Sequence, residues 1–288
     1  MEGYQSVLDT KYSSLSLKQI KVIKPDTKVS KVLELFNELH SQIGIQSHNE
    51  TNLMAIIGYL DITKYIINSY QNGKIVFDEP IENCLTLNPE DESYLVWQRD
   101  TEDVIRDAMK AFAEGIHRGL IIDKCLRLLT QKDIIQYISK TQELQASLDL
   151  PIVKFLHTKN LSETNKVFSV DESWTILQGF QHLLKYNIPS MPILSKNSVV
   201  GTFSSAVILK ATVNDFQNFL NQPISILKQN ASITCKPSTT CREILEAMLS
   251  KDEARAWCVD SNGSPTGVIS MSDIIGVLVG VVPATPLR

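Results

Sequence analysis

The chain lacks most of the features that mark secreted, membrane-spanning or catalytic proteins. None of its five cysteines (Cys84, Cys125, Cys235, Cys241 and Cys258) stands in a C-x-x-C pair. An odd number without metal spacing fits the reduced thiols of a cytosolic or nuclear protein. The opening MEGYQSVLDTKYSS has no apolar centre and does not read as a signal peptide. The most apolar tract, Ile274 to Val282, falls short of the ~18 residues of a membrane span and reads as a buried helix end. Net charge is only −4, so no global basic field points to nucleic acid or an anionic membrane. Any phosphate site must be a local gathering of cations. H-E-x-x-H, G-x-x-x-x-G-K-[S/T] and G-x-S-x-G are all missing. The histidines at 40, 48, 117, 157 and 182 show no metal spacing. Cys258, after Trp257 in an expected buried strand, reads as core rather than nucleophile. No catalysis is expected.

What is present is a globular composition, 43% hydrophobic and 21% charged, over 288 residues, enough for two ordinary domains. It is organised by repetition. Gly267-Val268-Ile269-Ser270-Met271-Ser272-Asp273-Ile274-Ile275 reads as a short strand running into an apolar helix, with a hydroxyl and a carboxylate at the helix's first turn. Anchoring on that hydroxyl places Asp61 (GYLDITK), Thr130 (RLLTQKD) and Ser204 (GTFSSAV) in the same position. Pro80-Ile81, Pro151-Ile152 and Pro223-Ile224 form a second marker, with Leu17 near that place in the first unit. Small polar pairs before a helical run form a third: Asp26-Thr27, Asp100-Thr101, Glu172-Ser173 and Ser238-Thr239. Each unit predicts a β-α-β-β-α order. Its first strand is exemplified by Lys21-Val22-Ile23 or Lys166-Val167-Phe168. The helix carries apolar residues at helical spacing, as at Val29, Val32, Leu33, Phe36 or Ile176, Leu177, Phe180, Leu184. Strands at Gly119–Ile122 and Leu126–Leu129 and a helix from Ile134 to Ser139 complete the second unit. Asn197 and Ser261-Asn262-Gly263 supply turns. The polar stretch from Lys140 to Leu150 divides the chain into halves.

This plan resembles the CBS repeat, and four in tandem resemble the γ subunit of the AMP-activated protein kinase family. Gly115-Ile116-His117-Arg118 and Leu128-Leu129-Thr130-Gln131-Lys132 add a match to that subunit's basic segments. The resemblance runs from about Leu15 to Val282. It implies an α/β fold of two CBS pairs arranged as a disc. The first pair would occupy 1–145 (repeats about 15–70 and 80–140) and the second 146–288 (repeats about 151–212 and 223–282). No further regulatory domain is expected in the short remaining tails.

The resemblance also implies the ligand. The aspartate opening the last helix is expected to bind a ribose, since one carboxylate accepts hydrogen bonds from both vicinal hydroxyls. Asp133 and Asp273 stand there, whereas Lys64 and Val207 in the first and third repeats do not qualify, so at most two good sites are expected. Thr130 and Ser270 stand at the hydroxyl position. His117, Arg118 and Lys132, with Arg255, would face phosphates, and Ala254 departs from a second expected histidine. Thr27 and Ser173 would line the wall opposite Asp133 and Asp273 respectively, and Ser272 would touch ribose or phosphate. A structural alternative stands beside each reading: [S/T]-x-x-[D/E] is equally a capping box, Thr27 and Ser173 equally helix caps, and the basic residues equally solvated charges. The expected function is a non-catalytic regulator that binds AMP, ADP or ATP and signals energy state to a serine/threonine kinase with its catalytic and scaffold subunits. The alternatives are a CBS protein binding another adenosyl ligand such as S-adenosylmethionine, or a purely structural scaffold. Nucleic acid and membrane are not expected partners, and the expected location is the cytoplasm, with the nucleus also open.

Overall fold

Short aliphatic runs bounded by turn residues form the strands, and each is placed by what its neighbours bury. The computed structural model describes residues 6–39, 42–47, 53–86, 97–152, 167–227 and 232–280. His40, His48, His157, Lys166 and Val282 lie outside these residues. Four small sheets recur, each with a first strand parallel to a middle strand that hairpins back antiparallel. The first repeat runs β2 (Lys21–Ile23), α1 (Val29–Leu39), β3 (Ile43–Gln46), β4 (Leu53–Ile57) and α2 (Tyr59–Gln71), preceded by β1 (Lys18–Gln19). The second runs β5 (Trp97–Asp100), α3 (Ile105–Ala113), β6 (Arg118–Ile122), β7 (Leu126–Thr130) and α4 (Gln131–Lys140), with α5 (Gln145–Leu148) after it. The third runs β8 (Val170–Asp171), α6 (Ile176–Lys185), β9 (Ser190–Ser195) and β10 (Ser198–Ser204). It ends in a 3-10 helix (Ser205–Lys210) followed by α7 (Phe216–Asn221). The fourth runs β11 (Thr234–Cys235), α8 (Cys241–Lys251), β12 (Arg255–Val259), β13 (Pro265–Ser270) and α9 (Met271–Leu278).

The helices decide how repeats associate. Val29, Val32, Leu33 and Phe36 form one buried stripe of α1, at the spacing the sequence predicts. They belong to a core shared by the first and third repeats with Phe180, Leu183, Phe203 and Ile208. A second core joins the second and fourth repeats through Met109, Phe112, Ile135, Ile244, Ile269 and Ile275. At roughly 1.5–3 kcal/mol per large buried apolar side chain, these two cores dominate the stability. The sheets make the orthogonal association. Ile20, Ile56, Leu120 and Leu128 pack the first repeat's sheet on the second's, and Trp257 Nε1 donates to Thr202 Oγ1 at 2.9 Å between the fourth and third.

The Pro-Ile markers turn out to be exchanged straps. Pro80 bridges Lys28 and Ile81 N donates to Thr27 O at 2.8 Å, so the segment leading into the second repeat seals the first. Reciprocally, Lys11 bridges Val104, Tyr12 N donates to Asp103 O at 3.0 Å, and β1 pairs with β7, so the N-terminal segment seals the second. The same exchange joins Pro151-Ile152 to Thr239 and Thr240, and Pro223-Ile224 to Trp174 and Thr175. The first-repeat counterpart of the isoleucine is therefore Tyr12, not Leu17; without a proline the alignment had no anchor.

Other expectations shift locally. Lys140–Leu150 is largely helical, a 3-10 turn at Gln142–Leu144 running into α5, and it buries Leu144 and Leu148 in the second core. Val167 and Phe168 precede rather than form β8; Phe168 is exposed and stacks on Tyr186 at 3.8 Å between ring centroids. On α6 it is Ile176, Gly179, Phe180 and Leu183 that are buried, while Leu177 and Leu184 sit at the edge of the stripe. The turns at Asn197 and Gly263 form as expected, both at positive φ, and touch through Ser198 Oγ and Asn262 O at 2.9 Å.

Candidate functional site

Each repeat's hairpin delivers its last residue, in extended conformation, to the start of a helix. At Thr130 the hydroxyl accepts from Asp133 N at 3.3 Å, while Asp133 Oδ2 accepts from Thr130 N at 2.8 Å and Thr130 Oγ1 at 2.6 Å. Ser270 and Asp273 repeat this, with Oδ2 accepting at 2.8 and 2.7 Å. The capping reading is therefore correct for both motifs. It uses only Oδ2: among the described residues, Oδ1 of Asp133 accepts no hydrogen bond.

The first repeat corrects the alignment. Its helix α2 is capped at Gly58, and Asp61 Oδ2 accepts from Gly58 N at 2.7 Å. Asp61 is thus the third helical residue, equivalent to Asp133 and Asp273, and is not the counterpart of Thr130. Lys64 lies a turn further on, and the expectation of at most two carboxylates becomes three. Sequence reading missed this because Gly58 supplies no hydroxyl to align, although glycine is an accepted cap and a carboxylate three residues later is the usual companion. In the third repeat Val207, buried at 7% exposure, does take the carboxylate's place.

Strand register sets what faces these helix starts. Thr130 pairs with Arg118, Ser270 with Arg255 and Ser204 with Ser190, and the pairing of Ile57 with Ile43 puts Gln42 beside Gly58. Both arginines then cross to the neighbouring repeat. Arg118, only 4% exposed, brings Nη2 to 3.9 Å from Asp61 Oδ2. Arg255 Nη1 donates to Ser190 Oγ at 3.0 Å. Burial pushes the Arg255 pKa down while Asp273 and Glu253 hold it up. Arginine does not shed its charge in a protein, so buried guanidinium groups demand anionic company. Among the described residues, Gln42 Oε1 is buried beside this first-repeat cluster without a hydrogen-bond partner.

The remaining residues expected at the site are scattered. His117 is exposed at the entrance to β6. Lys132 Nζ is ion-paired with Asp252 of the fourth repeat. Ser272 Oγ accepts from Gln131 Nε2 at 2.6 Å, tying α9 to α4. Thr27 is half-buried, and its carbonyl holds the Ile81 strap. Ser173 Oγ donates to Asp171 Oδ1 at 2.6 Å on an exposed turn. Among the described residues no hydrogen bond joins Thr27 to Asp133 or Ser173 to Asp273. Nor does Ser173 cap α6; Thr175 does, boxed with Gln178, and Thr240 with Glu243 does so for α8. No group of three or more metal-ligating side chains occurs among the described residues. Cys258 is buried in the core, its Sγ 3.5 Å from Cys235 Sγ.

Comparison with known proteins gives this arrangement a context. Residues 227–280 match the CBS domain. An Arabidopsis thaliana SNF1-related protein kinase regulatory subunit gamma-like protein is 21% identical over 228 residues, covering 64% of this chain and 63% of that protein. The 5'-AMP-activated protein kinase subunit gamma of Dictyostelium discoideum is 22% identical over 290 residues, covering 90% of this chain and 49% of that one. The chain thus spans less than two thirds of the first of these relatives and about half of the second. A crystal structure from Methanocaldococcus jannaschii, described as a candidate archaeal homologue of g-AMPK, superposes with a TM-score of 0.75 at 17% identity, covering 91% of this chain and 97% of that one. An uncharacterized conserved protein from Pyrococcus horikoshii gives 0.57 at 16% identity, covering 93% and 98%. With a CBS domain matched in its last repeat, the same strand order in the other three, and similarity to gamma subunits along its length, the chain carries a CBS domain and resembles the gamma subunit of AMP-activated protein kinase.

Proposed function

We propose that this is a non-catalytic regulatory protein that binds adenine nucleotides at the helix starts marked by Asp61, Asp133 and Asp273. It would report the bound nucleotide to a partner serine/threonine kinase. The observation that carries this reading is the division of labour in the carboxylates. Capping takes Oδ2, which at Asp133 leaves Oδ1 to accept from a ribose, and at Asp61 the buried Arg118 of the second repeat's hairpin lies 3.9 Å from the carboxylate, a cation a phosphate would share with it. Hydrogen bonds to a charged group contribute about 1.5–3 kcal/mol each, so each aspartate is worth roughly tenfold or more in affinity. The kinase partner is supported by what the relatives are called, and the five free thiols fit a cytoplasmic or nuclear setting. We place the pairs at 1–145 and 146–288, the first contributing Asp61 and Asp133 and the second Asp273.

A purely structural reading has its own support, because Thr175-Gln178 and Thr240-Glu243 are capping boxes at helix starts where no ligand is expected. Thermal-shift titration with AMP, ADP, ATP and S-adenosylmethionine separates the two. A ligand at 100 times its Kd stabilises the fold by about 2.7 kcal/mol. Asp133→Asn and Asp273→Asn keep the cap acceptor and lose the charge, so each weakens nucleotide stabilisation. Cooperative melting with no response to any adenosyl ligand would make the aspartates caps alone.

A further inference from the structure

The turn between α8 and β12 departs from its counterparts. In the second, third and fourth repeats the residue after the first helix, or one further on, takes positive φ: Gly115 at 110°, Asn187 at 49° and Asp252 at 55°. The next residue donates back into the helix in all three, Ile116 N to Ala111 O at 3.0 Å, Ile188 N to Leu183 O at 3.1 Å and Glu253 N to Met248 O at 3.0 Å. The backbone is the same, yet where two repeats place Gly-Ile and Asn-Ile the fourth places Asp-Glu. A half-buried glutamate in an isoleucine position is locally unfavourable: burial and the neighbouring Asp252 push its carboxyl pKa up. Local rules broken without structural benefit point to function.

The cations nearby explain what the two carboxylates do. Asp252 Oδ1 pairs with Lys132 Nζ across from the second repeat, one residue from Asp133. Glu253 lies two residues before Arg255, and the two feel each other's charge. The partial negative charge at the C-terminal end of α8 adds to the same sign. The fourth repeat thereby supplies its own anions to two cations that a phosphate chain would use. Arg118, by contrast, follows the uncharged Gly115-Ile116 turn.

We infer that the Asp252-Glu253 turn sets ligand charge preference, so that the sites of Asp133 and Asp273 take a nucleoside monophosphate in preference to a triphosphate. This rests on the adenine-nucleotide reading above. A ligand held by its ribose at either aspartate meets Lys132 or Arg255, and every added phosphate must displace a carboxylate already there or lie beside it. The Lys132–Asp252 pair is exposed, at 39% and 67% of the side chains, so it opens at little cost for one dianionic phosphate. For a tetraanion the unscreened repulsion accumulates: two unit charges about 5 Å apart in water differ by roughly fourfold in affinity per pair.

The test is calorimetric titration of AMP and of ATP into the full chain, wild type and Asp252→Asn/Glu253→Gln. The wild type is expected to bind AMP more tightly, and the double variant to gain about tenfold in ATP affinity with about twofold or less change for AMP. Lys132→Ala in the double variant should remove part of the ATP gain. An AMP-to-ATP ratio unchanged by the double substitution overturns the inference and leaves nucleotide binding standing. No binding of either nucleotide by the wild type overturns both readings.

Discussion

Replacing Asp61 by asparagine tests whether the first repeat carries a charge cluster equivalent to those of the second and fourth. The amide side chain keeps an oxygen to accept from Gly58 N, now at 2.7 Å, so the helix cap survives and only the charge is lost. The loss falls on Arg118, whose Nη2 lies 3.9 Å from Asp61 Oδ2 with side chains 5% and 18% exposed. At that separation and an effective dielectric of 20, unit charges attract by about 4 kcal/mol. Breaking a buried pair costs about 3–5 kcal/mol when geometry is good. The long N–O distance and relief of the aspartate's own desolvation bring the expected loss to about 2 kcal/mol, a fall in Tm of roughly 4–8 °C for a chain this size. Lys64→Ala, the residue sequence alignment had placed at this position, should stay within about 0.5 kcal/mol. Calorimetric melting of both variants without ligand decides between them. If Lys64→Ala lost as much as Asp61→Asn, or Asp61→Asn lost nothing, the assignment of Asp61 as the third equivalent carboxylate would be refuted.

Two further outcomes follow from packing. Gly179 lies on the buried face of α6, where a Cβ would sit 2.7 Å from the Phe203 ring and 3.0 Å from Ile224. Gly179→Ala should therefore destabilise by about 1–3 kcal/mol in urea melts, despite alanine's better helix propensity; a stabilised variant would show that Phe203 moves aside freely. Cys125 is half-buried and the other four thiols are buried, with burial pushing Cys241 up to about 12. At pH 8 an aromatic disulfide reagent should label one thiol in the native protein and five in urea; rapid native labelling of two or more would contradict the described burial.

Much of this fold was legible because period and chemistry coincide. The stripe Val29, Val32, Leu33, Phe36 announced a helix and its buried face together. Thr130-Asp133 and Ser270-Asp273 announced both a cap and a candidate site, and the fold needs them in the first role whatever their second. The first repeat hid because glycine can begin a helix without leaving a side chain to align. A sequence pattern sees the hydroxyl; the geometry needs only the backbone N–H. Ser190 and Gln42 were invisible for another reason: their place opposite a helix cap depends on hairpin register, which ordinary polar residues do not advertise. Lys132 reads in the sequence as a phosphate-facing cation, but its ion pair with Asp252 of the fourth repeat, a contact separated by 120 residues, is visible only in the fold. The polar look of Lys140–Leu150 concealed Leu144 and Leu148, two apolar residues at helical spacing among many polar ones.

The exchanged straps have a consequence for how the chain is made. A ribosome releases the N-terminus first, but Tyr12 has its partner at Asp103, and β1 pairs with β7, which is later still. At about 5–20 residues per second, the opening segment waits roughly 5–20 s for its dock to emerge. The first repeat has no such delay, because its own strap, Pro80-Ile81, follows α2 almost at once. Synthesis therefore seats the Pro80-Ile81 strap on the first repeat while Tyr12 and Leu17 are still uncovered; the second repeat then gathers those two in, and the core of the first waits for the third.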